Sequence, residues 1–140
     1  MVYSCSTDCK VKAWSITNKQ MKYEFAHQHY VCDIVIGRAG TPLENRIVSV
    51  GADKTCRISN LETGAELKKL CFDGWCRSIS VDKAQTVIAI GTGENVTLFE
   101  STSFTKIKEL CLKPVNSVAF NQRNDCLLAV TYGEVHCIKF

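Results

Sequence analysis

Short apolar runs, separated by turn-forming residues, recur along the whole chain. Clear examples are Val31–Ile36, Arg46–Gly51, Cys76–Val81 and Val115–Phe120, which are rich in Val, Ile and other strand-forming residues. Runs of this length and composition, bounded by Gly, Asn, Asp and Pro, are typical of β-strands. Apolar residues do not recur at helical spacing anywhere in the chain. The pattern therefore predicts an all-β protein.

One strand–turn–strand phrase occurs four times. Its copies are Ser4–Ser15, Ser49–Asn60, Ala89–Glu100 and Ala129–Phe140, so their first residues are 45, 40 and 40 positions apart. Internal repetition with a period near 40 residues and several strands per repeat is typical of propeller blades. The segment Glu62–Leu70 could form a short helix by propensity. It aligns with strand segments of the other copies, so we expect a strand there.

Applied to each repeat in turn, the pattern predicts three strands, then four, four and three. The connection Gly37–Asn45 contains several turn formers and accounts for the longer first spacing. The predicted strands are Val2–Ser6, Cys9–Ile16 and Met21–Ala26; Val31–Ile36, Arg46–Gly51, Thr55–Leu61 and Ala65–Phe72; Cys76–Val81, Thr86–Ile90, Val96–Phe99 and Thr105–Leu112; and Val115–Phe120, Cys126–Thr131 and Val135–Phe140.

The repeated phrase resembles the WD40 repeat family over essentially the whole chain. Its second copy is the best match, Trp14 occupies the Trp position of the first, and Ala26-His27 stands where the family has Gly-His. The resemblance implies an all-β, WD40-like β-propeller arc of about three and a half four-stranded antiparallel blades. We expect residues 1–140 to be a partial propeller, the C-terminal half of a seven-bladed ring. Its blades would span approximately 1–26, 27–72, 73–113 and 114–140.

The same resemblance implies a hydrogen-bonded structural cluster in each complete blade. In the family, a loop His, a Ser or Thr of the second strand, a turn Asp and a Trp of the third strand form a tetrad. His27, Ser49 and Asp53 match three of these positions, and Ser59 stands where Trp would be. In the first repeat, Asp8 and Trp14 match the turn Asp and the Trp, and we expect Trp14 to be a buried anchor.

Composition and charge place the chain among ordinary globular proteins. Apolar residues make up 46%, charged residues 22%, and the formal net charge is +3. The charge is too small to indicate nucleic-acid binding by itself. The sequence contains no apolar run long enough to span a bilayer and no visible signal peptide. We therefore expect an intracellular protein, cytoplasmic or nuclear, that does not bind membranes.

The nine cysteines show no metal-binding or disulfide pattern. Most lie inside apolar strand segments, so we expect small core hydrophobes in a reducing compartment. No catalytic motif is recognisable, and His27 with Asp53 lacks an evident nucleophile. The sequence therefore predicts no enzyme activity, no cofactor and no metal site.

The family binds its partners on the face formed by the loops before each first strand and the turns between the second and third strands. Mapped by position, the resemblance implies partner-binding candidates that include several Tyr, Trp and Arg residues, which often dominate interfaces. They are Gln28, His29, Tyr30, Asp33, Trp75, Arg77, Thr92 and Tyr132. For Tyr30 and Trp75, packing between blades is the competing interpretation.

The resemblance implies a non-catalytic scaffold that binds peptides or protein domains through this face. The alternative is a nucleic-acid-associated WD40 subunit of an RNA-processing or ribosome-assembly complex. The resemblance implies that the chain enters at the second strand of a blade, so we also expect it to associate with its own missing N-terminal half or with a second copy.

Overall fold

The computed structural model describes residues 1–123 and 125–139 and is built from strands alone in that part of the chain. All strand pairs are antiparallel. The strands are β1 (Val2–Cys5), β2 (Lys10–Ser15), β3 (Gln20–Ala26), β4 (Val31–Ile36), β5 (Arg46–Gly51), β6 (Thr55–Asn60), β7 (Glu66–Cys71), β8 (Cys76–Val81), β9 (Val87–Thr92), β10 (Asn95–Glu100), β11 (Lys106–Cys111), β12 (Val115–Phe120), β13 (Cys126–Thr131) and β14 (Val135–Lys139).

These strands form four sheets of three, four, four and three strands, and each sheet follows chain order from its first strand to its last. The predicted strand count and grouping are thus confirmed. The largest difference in bounds is β9, which begins and ends later than the predicted Thr86–Ile90. The end of the predicted Val135–Phe140 strand lies outside the described residues. No helix of the described chain is long and apolar enough to cross a membrane.

Successive sheets pack against each other through their inner strands. Strand contacts join β1 to β4, β4 to β8, and β8 to β12. One apolar cluster between the second and third sheets includes Val50, Ile58 and Ile90, and a second cluster, with Leu98 and Val118, joins the third to the fourth. The outer strands β7 and β11 are mostly exposed. Burial therefore concentrates in the central strands of each sheet.

The connection Gly37–Asn45 is part of the core as well as a loop. Leu43 within it is completely buried in the cluster between the second and third sheets. The buried side chain of Gln85, from the third sheet, holds the loop. Its Oε1 accepts hydrogen bonds from Arg38 N at 2.8 Å and Thr41 Oγ1 at 2.7 Å, while its Nε2 donates to Ile36 O at 3.0 Å. The sequence indicated the turns here but gave no sign of this anchoring.

The cysteines, which were expected to be small core residues, occupy several different environments. Cys56 and Cys76 are buried, and burial raises the pKa of Cys56 far above its usual value and that of Cys76 to about 12. Three others are exposed: Cys32, Cys71 and Cys111. Cys126 and Cys137 are joined as a disulfide between β13 and β14, with Cα atoms 6.2 Å apart. The expectation is confirmed for Cys56, Cys76 and Cys126, which are buried, and is wrong for the three exposed cysteines, because strand positions alternate between a packed and an open face.

We predict that Gly37→Ala destabilises the protein strongly. A Cβ at residue 37 would lie 1.6 Å from the backbone oxygen of Leu43, and neither backbone can move without disturbing the buried loop. We expect a loss of about 1–3 kcal/mol or more in the free energy of unfolding, measured by urea denaturation. Gly93→Ala is the matched control, because a Cβ there meets no atom within 4 Å. Equal effects of the two substitutions would contradict this role for Gly37.

Candidate interaction site

The inner strands of three sheets begin with the same local irregularity. The register shifts between Val31 and Asp33 in β4, between Cys76 and Ser78 in β8, and between Val115 and Ser117 in β12. Each shift is a β-bulge, which inserts one extra residue and redirects its side chain. The three bulge residues are Cys32, Arg77 and Asn116. The fold thus brings one residue from each of three sheets to the same edge.

The turns between second and third strands lie at this edge as well. Tyr30 O accepts a hydrogen bond from Ala52 N at 2.8 Å, and Trp75 O accepts one from Gly93 N at 3.2 Å. The residue that precedes each inner strand is therefore fixed to the turn of its own sheet. This arrangement gives the edge a backbone held by hydrogen bonds, on which exposed side chains are presented.

Three aromatic rings meet on this edge. The His29 ring lies edge-on to Tyr30, with centroids 4.2 Å apart, and stacks with Trp75 at 6.2 Å. Tyr30 remains 47% exposed and Trp75 50% exposed. Packing between sheets therefore leaves about half of each side chain open to solvent. We call His29, Tyr30 and Trp75 the aromatic cluster.

Arg77 lies beside the aromatic cluster in the chain and is incompletely paired. Its Nη1 donates to Asn116 Oδ1 at 2.9 Å, whereas its buried Nε has no hydrogen-bond partner. Within residues 1–123 and 125–139, no carboxylate lies within 4 Å of its guanidinium. Burial raises the pKa of the Cys32 thiol, and the nearby Arg77 guanidinium opposes that shift. The three bulge residues are therefore close neighbours.

Asp33, a predicted binding residue, is instead occupied within the fold. Its Oδ2 accepts hydrogen bonds from Ser78 Oγ and Ile79 N, both at 3.1 Å, and its Oδ1 accepts from its neighbour Ile34 N at 2.9 Å. Ser78 Oγ in turn accepts a hydrogen bond from Val118 N at 3.4 Å. This chain of bonds connects the second, third and fourth sheets.

His27, Ser49 and Asp53 come together as the resemblance implied. His27 Nδ1 is 3.1 Å from both carboxylate oxygens of Asp53, and its Nε2 is 2.8 Å from Ser49 Oγ. Asp53 also accepts hydrogen bonds from Gln28 N and from the backbone and hydroxyl of Thr55. The side chains of His27 and Asp53 are 0% and 3% exposed. The group is thus a closed structural cluster that fixes the turn.

The pKa values of both residues of this pair are lowered, but for different reasons. Burial of the ring lowers the pKa of His27, and Asp53 only partly opposes this shift. Burial of Asp53 would raise its pKa, but the hydrogen bonds from Thr55, His27 and Gln28 outweigh burial and lower it to about 2. At neutral pH the imidazole is therefore neutral and the carboxylate charged, so the ring nitrogen can donate to the carboxylate.

The first sheet differs from expectation at Trp14. Its Nε1 donates to Ser4 Oγ at 3.1 Å, but the side chain is 38% exposed, because it lies on the sheet face opposite the packed Val11 and Ala13. The expected burial of Trp14 is therefore wrong. Asp8 does hold its turn, since its Oδ1 accepts from Lys10 N at 3.1 Å.

The remaining predicted binding residues lie around the same edge in different environments. Gln28 is exposed, and only its backbone N is tied to Asp53. Thr92 is 4% exposed, and its hydroxyl caps the turn by accepting from Asn95 N at 3.0 Å. Tyr132 is 73% exposed and makes no ring contact with another described residue. Thr92 therefore offers a partner little surface, whereas Tyr132 is fully available.

Asn116 and Cys32 were not among the predicted site residues. Their position in the sequence could have indicated them: like the predicted residue Arg77, each directly follows the first apolar residue of an inner strand. The described residues contain no group of three His, Cys, Asp or Glu side chains placed to hold a metal ion. Compared with models of known protein families and with curated proteins, the chain matches none.

We predict that stability falls as the pH is lowered below about 6.5, the usual pKa of an unfolded His. The unfolded chain then gains a proton at His27 that the fold, with its lowered pKa, does not accept. A second loss follows between about 3.8 and 2 as folded Asp53 resists protonation. Urea denaturation at pH 7.5 and 5.5 should show the first loss. His27→Gln should reduce it, whereas His136→Gln, in β14, should not.

Proposed function

We propose that this chain is part of a WD40-like β-propeller that acts as a non-catalytic scaffold. The proposal places the four sheets as successive blades of an arc, the C-terminal half of a seven-bladed ring. Its support is the repeat near 40 residues, the grouping of strands into three, four, four and three, and the contacts between inner strands in chain order. The His27–Asp53–Ser49 cluster adds a further point of likeness.

The partner-binding surface in this proposal is the edge that carries the aromatic cluster. The observation that carries the proposal is the contact of three exposed rings from two sheets on a hydrogen-bonded backbone. Exposed Trp and Tyr side chains lose little conformational entropy on binding and are frequent interface anchors. An extended peptide or a domain loop laid across the inner strands would cover them.

The outward faces of the first and last sheets support a further set of partners. Val130 and Val135 pair across β13 and β14 on an exposed face, and Ile16 and Met21 are exposed at the first sheet. Within the described chain, β1 and β14 each have a strand on one side only. Unpaired edges and apolar faces favour association. The expected partners there are an N-terminal half of the ring or a second copy.

We predict that Trp75→Ala abolishes or strongly weakens peptide binding without lowering stability. Half of this side chain is exposed, so the loss would fall on the interface. A loss of about 2 kcal/mol or more is typical of an interface anchor. The measurement is binding to an immobilised peptide array, with urea denaturation alongside. Ile107→Ala, on exposed β11, is the matched control.

The array result also separates this function from the nucleic-acid alternative. If single-stranded oligonucleotides bind instead, with an affinity that falls steeply with salt, the scaffold proposal is wrong. Binding of neither class would contradict both functions.

We also predict that the chain alone self-associates at micromolar concentration. Light scattering should show species larger than a monomer of 15.6 kDa. Val135→Lys should shift the distribution toward monomer by placing a charge on the exposed apolar face. Lys108→Gln, on an outer strand, should leave it unchanged. A stable monomer that binds no hydrophobic dye would contradict the half-ring arrangement.

A further inference from the structure

Arg77 is a partly buried cation that has no carboxylate partner among the described residues. By contrast, Arg57, a partly buried arginine of the neighbouring sheet, pairs with Asp53 at 3.5 Å and with Glu66 at 3.0 Å. Among the described residues, Arg77 has no such partner, and its one hydrogen bond goes to the neutral amide of Asn116. A partly buried guanidinium usually pairs with an anion, because its desolvation is otherwise uncompensated. The position therefore favours a ligand that supplies a negative charge.

The fold fixes the position of the Arg77 side chain. The bulge between Cys76 and Ser78 turns the Arg77 side chain out of the β8 ladder, and Asn116 Oδ1 fixes one of its terminal nitrogens at 2.9 Å. Asp33, at the start of the inner strand of the neighbouring sheet, is already engaged by Ser78 and Ile79. It is therefore committed to the fold, and Nη2 of Arg77 is left without a hydrogen-bond partner among the described residues.

The surroundings favour a single carboxylate over a polyphosphate. Asp73 lies two residues before Trp75, and Glu94, with a side chain 64% exposed, follows the turn residue Gly93 that is bonded to Trp75 O. Both acidic residues line one cavity beside this edge, together with Glu109. Nucleic acids bind through several phosphate contacts to clustered cations. Arg77 is a single guanidinium rather than one of several clustered cations, so it fits an isolated anionic side chain instead.

We propose that the aromatic cluster and Arg77 form one recognition site for a peptide that carries an acidic side chain. The Asp or Glu carboxylate pairs with the Arg77 guanidinium, and apolar parts of the peptide pack on Trp75 and Tyr30. The inference rests on the proposed scaffold function and deepens it by naming the partner's chemistry. An Arg–carboxylate pair provides directional, charge-assisted hydrogen bonds, so the site discriminates acids from their amides.

The test uses pools of short fluorescent peptides that are random except for a fixed central residue: Asp, Glu, Asn, Gln or Lys. Binding is measured by fluorescence anisotropy with the whole chain. We expect the Asp and Glu pools to bind about tenfold more tightly than the Asn and Gln pools. Arg77→Gln should remove that preference, and Arg77→Lys should reduce it, since a Lys keeps the charge but loses the fork of donors. Lys108→Gln, on exposed β11, should retain it.

Each contrary outcome has a distinct meaning. Equal binding of all pools by the parent chain would overturn the acidic preference and leave the scaffold function standing. Binding of no pool would overturn the scaffold function itself. Tighter binding of single-stranded oligouridine than of any pool would overturn both in favour of RNA.

Urea denaturation gives an independent check, because a residue whose role is recognition can be replaced without loss of stability. Arg77→Gln should unfold at the same or a higher urea concentration, and a marked loss of stability would overturn the inference.

Discussion

The fold depends on short sheets being held face to face, and one chain of hydrogen bonds fixes how three of them meet. Asp33 of β4 accepts from Ser78 of β8, and Ser78 accepts from Val118 N of β12. A sheet of three or four short strands needs an apolar face that is packed and buried to be stable. Apolar clusters between the sheets supply most of the stabilisation, while the polar chain selects one relative position, since buried polar groups tolerate few arrangements.

The candidate interaction site is a consequence of that packing. The same strand starts that bring β4, β8 and β12 together also contain the three bulges, so Cys32, Arg77 and Asn116 meet at one edge. The residues before β4 and β8 are tied to the turns of their sheets and hold the aromatic cluster in place. Rigid support of exposed rings lowers the entropic cost of binding. In the proposed function, stability and recognition therefore use adjacent atoms of the same strands.

Two polar groups at this edge have opposite characters. Asp53 is saturated by His27, Thr55 and Gln28, which keeps its pKa low and its turn fixed. Arg77 retains donors that the described fold does not use. A satisfied buried charge contributes to structure, whereas an unsatisfied one costs stability unless a ligand compensates. This contrast is the reason for assigning a structural role to the first group and recognition to the second.

The sequence by itself determined the strands and their grouping, because both follow from local pattern and from repetition at a fixed spacing, whereas the pairing of His27 with Asp53 was implied by the family resemblance of the repeats. Val31–Ile36 and Cys76–Val81 have the predicted bounds, since apolar runs between turn formers leave little choice. Only the tertiary structure decided which face of each strand is packed. Trp14 and Cys32 are exposed, Leu43 is buried from within a loop, and Asp33 is engaged by a neighbouring sheet. These outcomes depend on what lies across the sheet interface, and residue type alone does not encode it.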